Sequence, residues 1–241
     1  MKGRQKLLLV IVVALGLAWG FYSRLSQPVA TFPRNPPANA LPNFELFDTE
    51  GNAHELYRMA DKRAIVIFSQ FNSCPGVQKS AGALAELEKQ FSAEGVQFLG
   101  INPVESDTRE KIREEAQAYG MTWPIMRDPS QQVSKQLGFV STAEAAVIDT
   151  STWTIAYRGP IDDRLEFGMS KGEGRNFYLK EALEAVLGGR KVEKSVLRGR
   201  GCAISYRRDP QPVTYASEIG KIIRDRCVSC HSVPGDTKPN F

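Results

Sequence analysis

The sequence predicts an α/β sandwich with a mixed central sheet. Three observations carry this. RAIVIFSQF (63–71) and VQFLGINP (96–103) are apolar runs of the kind buried on both faces of a sheet. Between them Val77, Ala81, Leu84, Leu87 and Phe91 recur at helical spacing. After them comes a hairpin pattern, EAAVID (144–149) and TWTIAYRG (152–159), and then a last amphipathic helix, NFYLKEALEAVLGG (176–189).

In chain order, MKGRQK is a basic start and LLLVIVVALGLAWGFY (7–22) an uncharged apolar run. The run is short for a spanning helix of about 20 residues, but Trp19, Tyr22 and Arg24 suit the interface. With no small-residue cleavage pattern close behind it, residues 1–24 read as a transmembrane signal-anchor rather than a cleaved signal peptide. The Lys/Arg bias places the globular part outside the cytoplasm, in the periplasm or its equivalent, on a single-pass cell-membrane anchor. Residues 25–42 are a proline-rich tether, since LSQPVATFPRNPPANALP carries five prolines and cannot form a regular element.

The folded domain is expected over 43–192. Phe44, Leu46 and the Asp48–Gly51 turn give a small hairpin, with His54 read as one of its surface residues. The helix after strand 63–71 stops at Gly95. Ser106-Asp107 is expected to cap a charged helix that runs to Tyr119 and ends at Gly120. WPIM and DPSQQVSKQLG give a short strand and a short helix. Residues 193–213 read as a linker, and 214–241 as an incomplete cytochrome c-like segment with a short helix. The net charge of +4 is spread thinly, so a nucleic-acid footprint is excluded.

CVSCH (227–231) is the most specific motif. Two thiols at this spacing attack the haem vinyl groups, and the adjoining His is placed to ligate iron. Cys227 and Cys230 are therefore candidate covalent haem c attachment points and His231 the candidate axial ligand. A zinc site would need a fourth ligand, and the only other histidine is the distant His54. SVPGDTKPNF supplies no sixth haem ligand, so the chain is expected to be the front part of a longer protein or a shortened one.

FSQFNSCPGVQKS (68–80), GVQFLGINP (95–103), WPIMRDPSQQVSKQLGF (123–139), TAEAAVID (142–149) and YRGPIDDR (157–164) together resemble exported redoxins. These are thioredoxin-like proteins of the alkyl hydroperoxide reductase/thiol-specific antioxidant superfamily. The resemblance covers about residues 40–205. Gly201-Cys202 and 213–231 resemble a subset in which a c-type haem motif follows the redoxin, and a further domain often follows in turn. The resemblance implies a thioredoxin fold, with Cys74 as the reactive thiol between a buried strand and a helix whose N-terminus favours the thiolate. Three marks of the family are replaced: Val77 stands where a disulfide exchanger has its second Cys, Phe71 where a peroxidase has Thr, and Ala143 where a cis-proline is usual.

If Cys227 and Cys230 hold haem, Cys74 and Cys202 remain, and in an oxidising compartment spare thiols tend to pair. Cys202 is then either a structural disulfide partner or a resolving cysteine. The reading that follows is an anchored redoxin-type oxidoreductase with a haem segment for electron transfer and an unknown redox partner. Its rival is a catalytically degenerate thioredoxin-like module that positions a cytochrome or a downstream enzyme domain.

Overall fold

The computed structural model describes residues 37–166, 169–170, 174–207, 215 and 219–227. The anchor and most of the tether expected over 1–42 lie outside these residues, as do Cys230 and His231. No helix among the described residues is long and apolar enough to cross a membrane.

Five strands form the central sheet, in the order β5 (Ile125–Arg127), β4 (Val96–Asn102), β3 (Ala64–Ser69), β6 (Glu144–Asp149), β7 (Thr154–Pro160). β3, β4 and β5 are mutually parallel, whereas β6 and β7 run antiparallel to their neighbours. Every residue of β3 is buried. That is why its sequence shows no alternation: both faces of a central strand are covered. Ala64, Val66 and Phe68 face a cluster that contains Val77, Ala81 and Leu84 of α1 (Pro75–Phe91) and Leu179, Ala182 and Leu183 of α4 (Tyr178–Leu187). Ile65 and Ile67 alternate with these and are buried outside that cluster. The remaining helices are α2 (Arg109–Ala118) and α3 (Gln132–Gln136).

Each edge of the sheet is covered, which removes the unpaired strand edge that invites association. At β5 the cover is the predicted hairpin, β1 (Glu45–Phe47) with β2 (Ala53–Glu55), through an Asp48–Met126 bridge. Its turn is organised by the buried Asp48, whose carboxylate accepts from the backbone of Glu50 and Asn52 and pairs with His54 at 2.9 Å. His54 is thus not a free surface residue: its side chain is 17% exposed and tied to Asp48. At β7 the cover is a strand-like segment around Val196, which bridges Arg158. The Arg158 amide donates to the Ser195 carbonyl at 2.8 Å, and the Leu197 amide to the Arg158 carbonyl at 2.8 Å. Residues 193–204 therefore pack as part of the domain, where composition alone suggested a linker; the compact unit reaches Ile204. Beyond the expected elements, Leu165–Glu166 (β8) and Met169–Ser170 (β9) pair as a two-residue antiparallel ladder.

In the separate unit that begins at Ser205, a helix spans Gly220–Arg226 with Cys227 at its C-terminus.

Candidate functional site

β3 delivers the chain to the loop 71–73, and the loop delivers Cys74 to the N-cap of α1, with Pro75 in the first helical position. Proline suits that place because its missing N–H would be unpaired there anyway. The loop is pinned to α2. Asp107 accepts from the Asn72 amide at 3.0 Å, and the Glu115 carboxylate accepts from the Ser73 amide at 2.7 and 3.0 Å. Glu115 also takes the Gln78 side-chain N–H at 3.1 Å, so one carboxylate joins the loop, α1 and α2. Ser73 itself has φ 64°, a left-handed conformation that costs a non-glycine residue about 1 kcal/mol or more. Asp107 serves this loop rather than the helix. The N-cap of α2 is Thr108, whose hydroxyl accepts from the Lys111 amide at 3.4 Å.

Cys74 is fully buried, and its sulfur is bonded to Cys202, 128 residues on, with Cα atoms 6.3 Å apart. The structure thus joins the two cysteines that remain once the 227–231 motif is set aside. Cys202 reaches Cys74 on a strap that runs across the loop before β6. The Thr142 amide donates to the Cys202 carbonyl at 2.9 Å, the Cys202 amide to Thr142 Oγ1 at 3.0 Å, and the Ile204 amide to the Val140 carbonyl at 3.1 Å. This close crossing requires glycine. A Cβ on Gly201 would collide with the Thr142 carbonyl oxygen and lie 2.6 Å from its carbon. Across the site, a Cβ on Gly76 would lie 3.3 Å from Gly201 Cα, tight enough to need adjustment.

The residues that replace the three family marks are all apolar, two of them buried and Phe71 partly so. Val77 is buried in the α1 face, Phe71 packs against the main core cluster, and Ala143 is buried beside the disulfide. No peptide bond among the described residues is cis. Ala143 takes φ 56° instead, and its amide donates to the Ser69 carbonyl at 2.8 Å at the end of β3. A proline there could neither adopt that φ nor make that bond.

Two residues of the TAEAAVID segment have a place at the site that the sequence did not show. Thr142, wholly buried, places its hydroxyl oxygen 3.0 Å from Cys74 Sγ. Glu144 is 1% exposed and accepts from Ser141 Oγ and from the Gly199 amide, both at 2.8 Å. Its second oxygen has no hydrogen-bond partner among the described residues. A Thr and a Glu at the start of a strand read as ordinary polar flanks until the strap is known to lie over them. On β7, burial together with Tyr178 and Glu144 pushes the Tyr157 phenol far above its ordinary range, and its hydroxyl donates to the Pro160 carbonyl at 2.5 Å.

Of the haem motif, Cys227 is described: it is a free, half-buried thiol closing the Gly220–Arg226 helix. No cluster of metal-ligating side chains occurs among the described residues.

Comparison with known proteins places this architecture. A candidate peroxiredoxin of Mycobacterium tuberculosis is 33% identical over 100 residues, which are 42% of this chain and 62% of that protein. The chain thus spans less than two thirds of that relative's length. The 1-Cys peroxiredoxin PER1 of Zea mays is 26% identical over 163 residues, 61% of this chain and 70% of that one. Among solved structures, an uncharacterized conserved protein from Geobacillus kaustophilus superposes with a TM-score of 0.61 at 26% identity, covering 75% of this chain and 95% of that one. A hypothetical protein from Sinorhizobium meliloti 1021 gives 0.60 at 27%, covering 71% and 94%. The sequence profile of the AhpC/TSA family matches residues 37–164, and the chain belongs to that family, a redoxin with a thioredoxin-like fold.

Proposed function

We propose that this chain is a thiol-dependent oxidoreductase that reduces hydroperoxides through Cys74, with Cys202 as its resolving cysteine. The observation that carries the reading is the Cys74–Cys202 pair itself, which seats one sulfur at the N-cap of a long helix and the other on a strap. The N–H groups of the first turn and the helix dipole favour the Cys74 thiolate over the thiol. That thiolate attacks the terminal oxygen of ROOH, the O–O bond breaks, and RO⁻ leaves as ROH after taking a proton. Cys74 is then a sulfenic acid. The Cys202 sulfur displaces its hydroxyl as water and forms the disulfide seen here. Two electrons and two protons from an external dithiol return both cysteines to the thiol state.

The test is single-turnover. Reduced protein mixed with hydrogen peroxide should consume one equivalent and regain the Cys74–Cys202 disulfide. Cys74→Ser should consume none, and Cys202→Ser should stop at a sulfenic acid that dimedone traps. One observation favours a second reading, the non-catalytic module: Cys74 is wholly buried beneath the strap. If the reduced chain leaves peroxide untouched over hours, that reading replaces the first.

We further propose that CVSCH attaches haem c through Cys227 and Cys230, with His231 as an axial ligand, and that the chain sits on a membrane anchor at 1–24 facing an oxidising compartment. The free Cys227 thiol at a helix end suits thioether formation, and Ile219 and Ile222 leave exposed apolar surface on the turns before it. When bound, haem supplies one-electron transfer. Export beside the haem-attachment machinery should give a haem-staining band that Cys227→Ala with Cys230→Ala abolishes. The protein should stay in carbonate-washed membranes at full mass. A soluble chain shortened by about 25 residues would instead show a cleaved signal.

A further inference from the structure

We infer that the Thr142 hydroxyl is the side-chain donor that holds the Cys74 thiolate. The inference deepens the reading of Cys74 as the reacting thiol and rests on it.

Thr142 Oγ1 lies 3.0 Å from Cys74 Sγ, and both residues are inaccessible to solvent. Burial alone disfavours a thiolate, so a reactive sulfur in this place needs donors aimed at it. The helix supplies backbone N–H groups, and Phe71 and Val77 offer nothing polar. The hydroxyl is also well fixed. The Thr142 amide is bonded to the strap at Cys202, the next amide, of Ala143, to Ser69 on β3, and the hydroxyl oxygen accepts from the Cys202 amide at 3.0 Å. That last contact decides the direction of the proton. With a lone pair already engaged by Cys202, the hydroxyl's single hydrogen has two destinations: the Cys202 carbonyl at 3.4 Å and the Cys74 sulfur at 3.0 Å. A disulfide sulfur is a weak acceptor. Once the bond is reduced, the Cys74 sulfur carries a full charge, and a charge-assisted hydrogen bond is roughly twice as strong as a neutral one. The hydrogen then belongs to the thiolate.

The test measures thiolate formation without any peroxide. In the reduced full-length protein, Cys74 alkylation by iodoacetamide is followed against pH by peptide mass mapping, with thiolate absorbance near 240 nm as a second readout. Thr142→Val keeps the shape and removes the hydroxyl; Thr142→Ala removes it without filling space. Both should slow Cys74 alkylation at pH 6 by about tenfold or more, the loss of one hydrogen bond to a charged group, and should move the rate–pH curve to higher pH. Thr142→Ser should restore the wild-type curve. Wild-type curves in both hydroxyl-free variants overturn the inference. So does a shift in Thr142→Val that Thr142→Ala lacks, which would be a packing effect. A protein that shows the shift yet consumes no peroxide rejects the proposed activity and leaves this assignment standing.

Discussion

Cutting the Cys74–Cys202 bond should cost this domain a large part of its stability. The cross-link closes 128 residues of sequence separation, most of the folded unit beyond β3. In the chain-entropy account a loop of that length contributes about 5 kcal/mol at 25 °C, near the top of the range for disulfides. Native domains of this size have a net stability of about 5–15 kcal/mol, so the effect is a substantial fraction of the total. Cys202→Ser is the cleanest perturbation, because Cys202 is only partly buried whereas Cys74 lies wholly inside. Urea unfolding followed by tryptophan fluorescence suits the protein: Trp123 and Trp153 are 3% and 5% exposed, and both report on the core. With a slope of about 2 kcal/mol per molar urea, the midpoint should fall by roughly 2.5 M. Wild-type protein kept reduced should unfold at the same midpoint as the variant. A Cys202→Ser midpoint within about 0.5 M of the oxidised wild type would refute the reasoning, since the bond would then constrain nothing that matters to unfolding.

Three further outcomes follow from local geometry. Gly201→Ala should prevent the strap from seating, because the added methyl meets the Thr142 carbonyl; non-reducing mass mapping should find Cys74 and Cys202 largely unpaired, and full pairing would show that the strap can shift. Ala143→Gly should stabilise the protein by up to about 1 kcal/mol in the same urea assay, since glycine takes φ 56° without the left-handed penalty; a loss of stability would mean the Ala143 methyl matters more by packing. For Asp48, burial pushes the carboxyl up, but the bonds from His54, Asn52 and Glu50 outweigh this and hold it below the usual carboxylate range. A lowered carboxylate stabilises the fold above its unfolded value near pH 4, and that contribution is lost as pH falls through the lower folded value. Asp48→Asn should therefore weaken the protein at neutral pH and flatten the acid limb of its stability curve, whereas an unchanged limb would show that other carboxylates govern it.

The alternation of buried runs and helical periods was legible because it follows from burial. β3 and β4 are covered on both faces, and α1 and α4 each present one stripe to the same cluster. The small errors of that reading have a common cause. Asp107 looked like a helix cap, yet it faces the Cys74 loop, and Thr108 one residue later does the capping. His54 looked exposed but pairs with a carboxylate six residues away. The Asp107 partner is set by tertiary contact and the His54 partner by the geometry of the hairpin turn, neither of which a residue-type pattern shows. The strap was the larger gap. Residues 193–204 carry no periodicity, and their glycines and arginines have the composition of a linker. Their hydrogen bonds go to the Val140–Thr142 loop, to Glu144 and to Arg158, 37 to 64 residues earlier, which no local pattern encodes.

That gap bears on how the replaced family marks are to be weighed. Counted as a string, the absence of Cys at 77, Thr at 71 and Pro at 143 describes a site that has lost its chemistry. Placed in the fold, two of the replacements have a physical counterpart at another position, and the third residue holds the turn itself. The second sulfur comes from Cys202 on the strap. A hydroxyl comes from Thr142, 3.0 Å from the sulfur. The turn that a proline would enforce is held by Ala143 in a left-handed conformation, with its amide bonded to Ser69. These three substitutes lie on two segments, 142–143 and 202, that are hydrogen-bonded to each other at 2.9 and 3.0 Å. Gly199 and Gly201 let the strap lie this close, since a Cβ on the first would run into the Glu144 side chain and one on the second into Thr142. The coupling can be measured. A double-mutant cycle between Thr142→Val and Cys202→Ser, read by urea unfolding, should give an interaction of about 1 kcal/mol or more, as residues sharing one hydrogen-bond network do. Additivity within about 0.3 kcal/mol would mean that the strap and the Thr142 hydroxyl act independently, and the case for a single rebuilt site would fall.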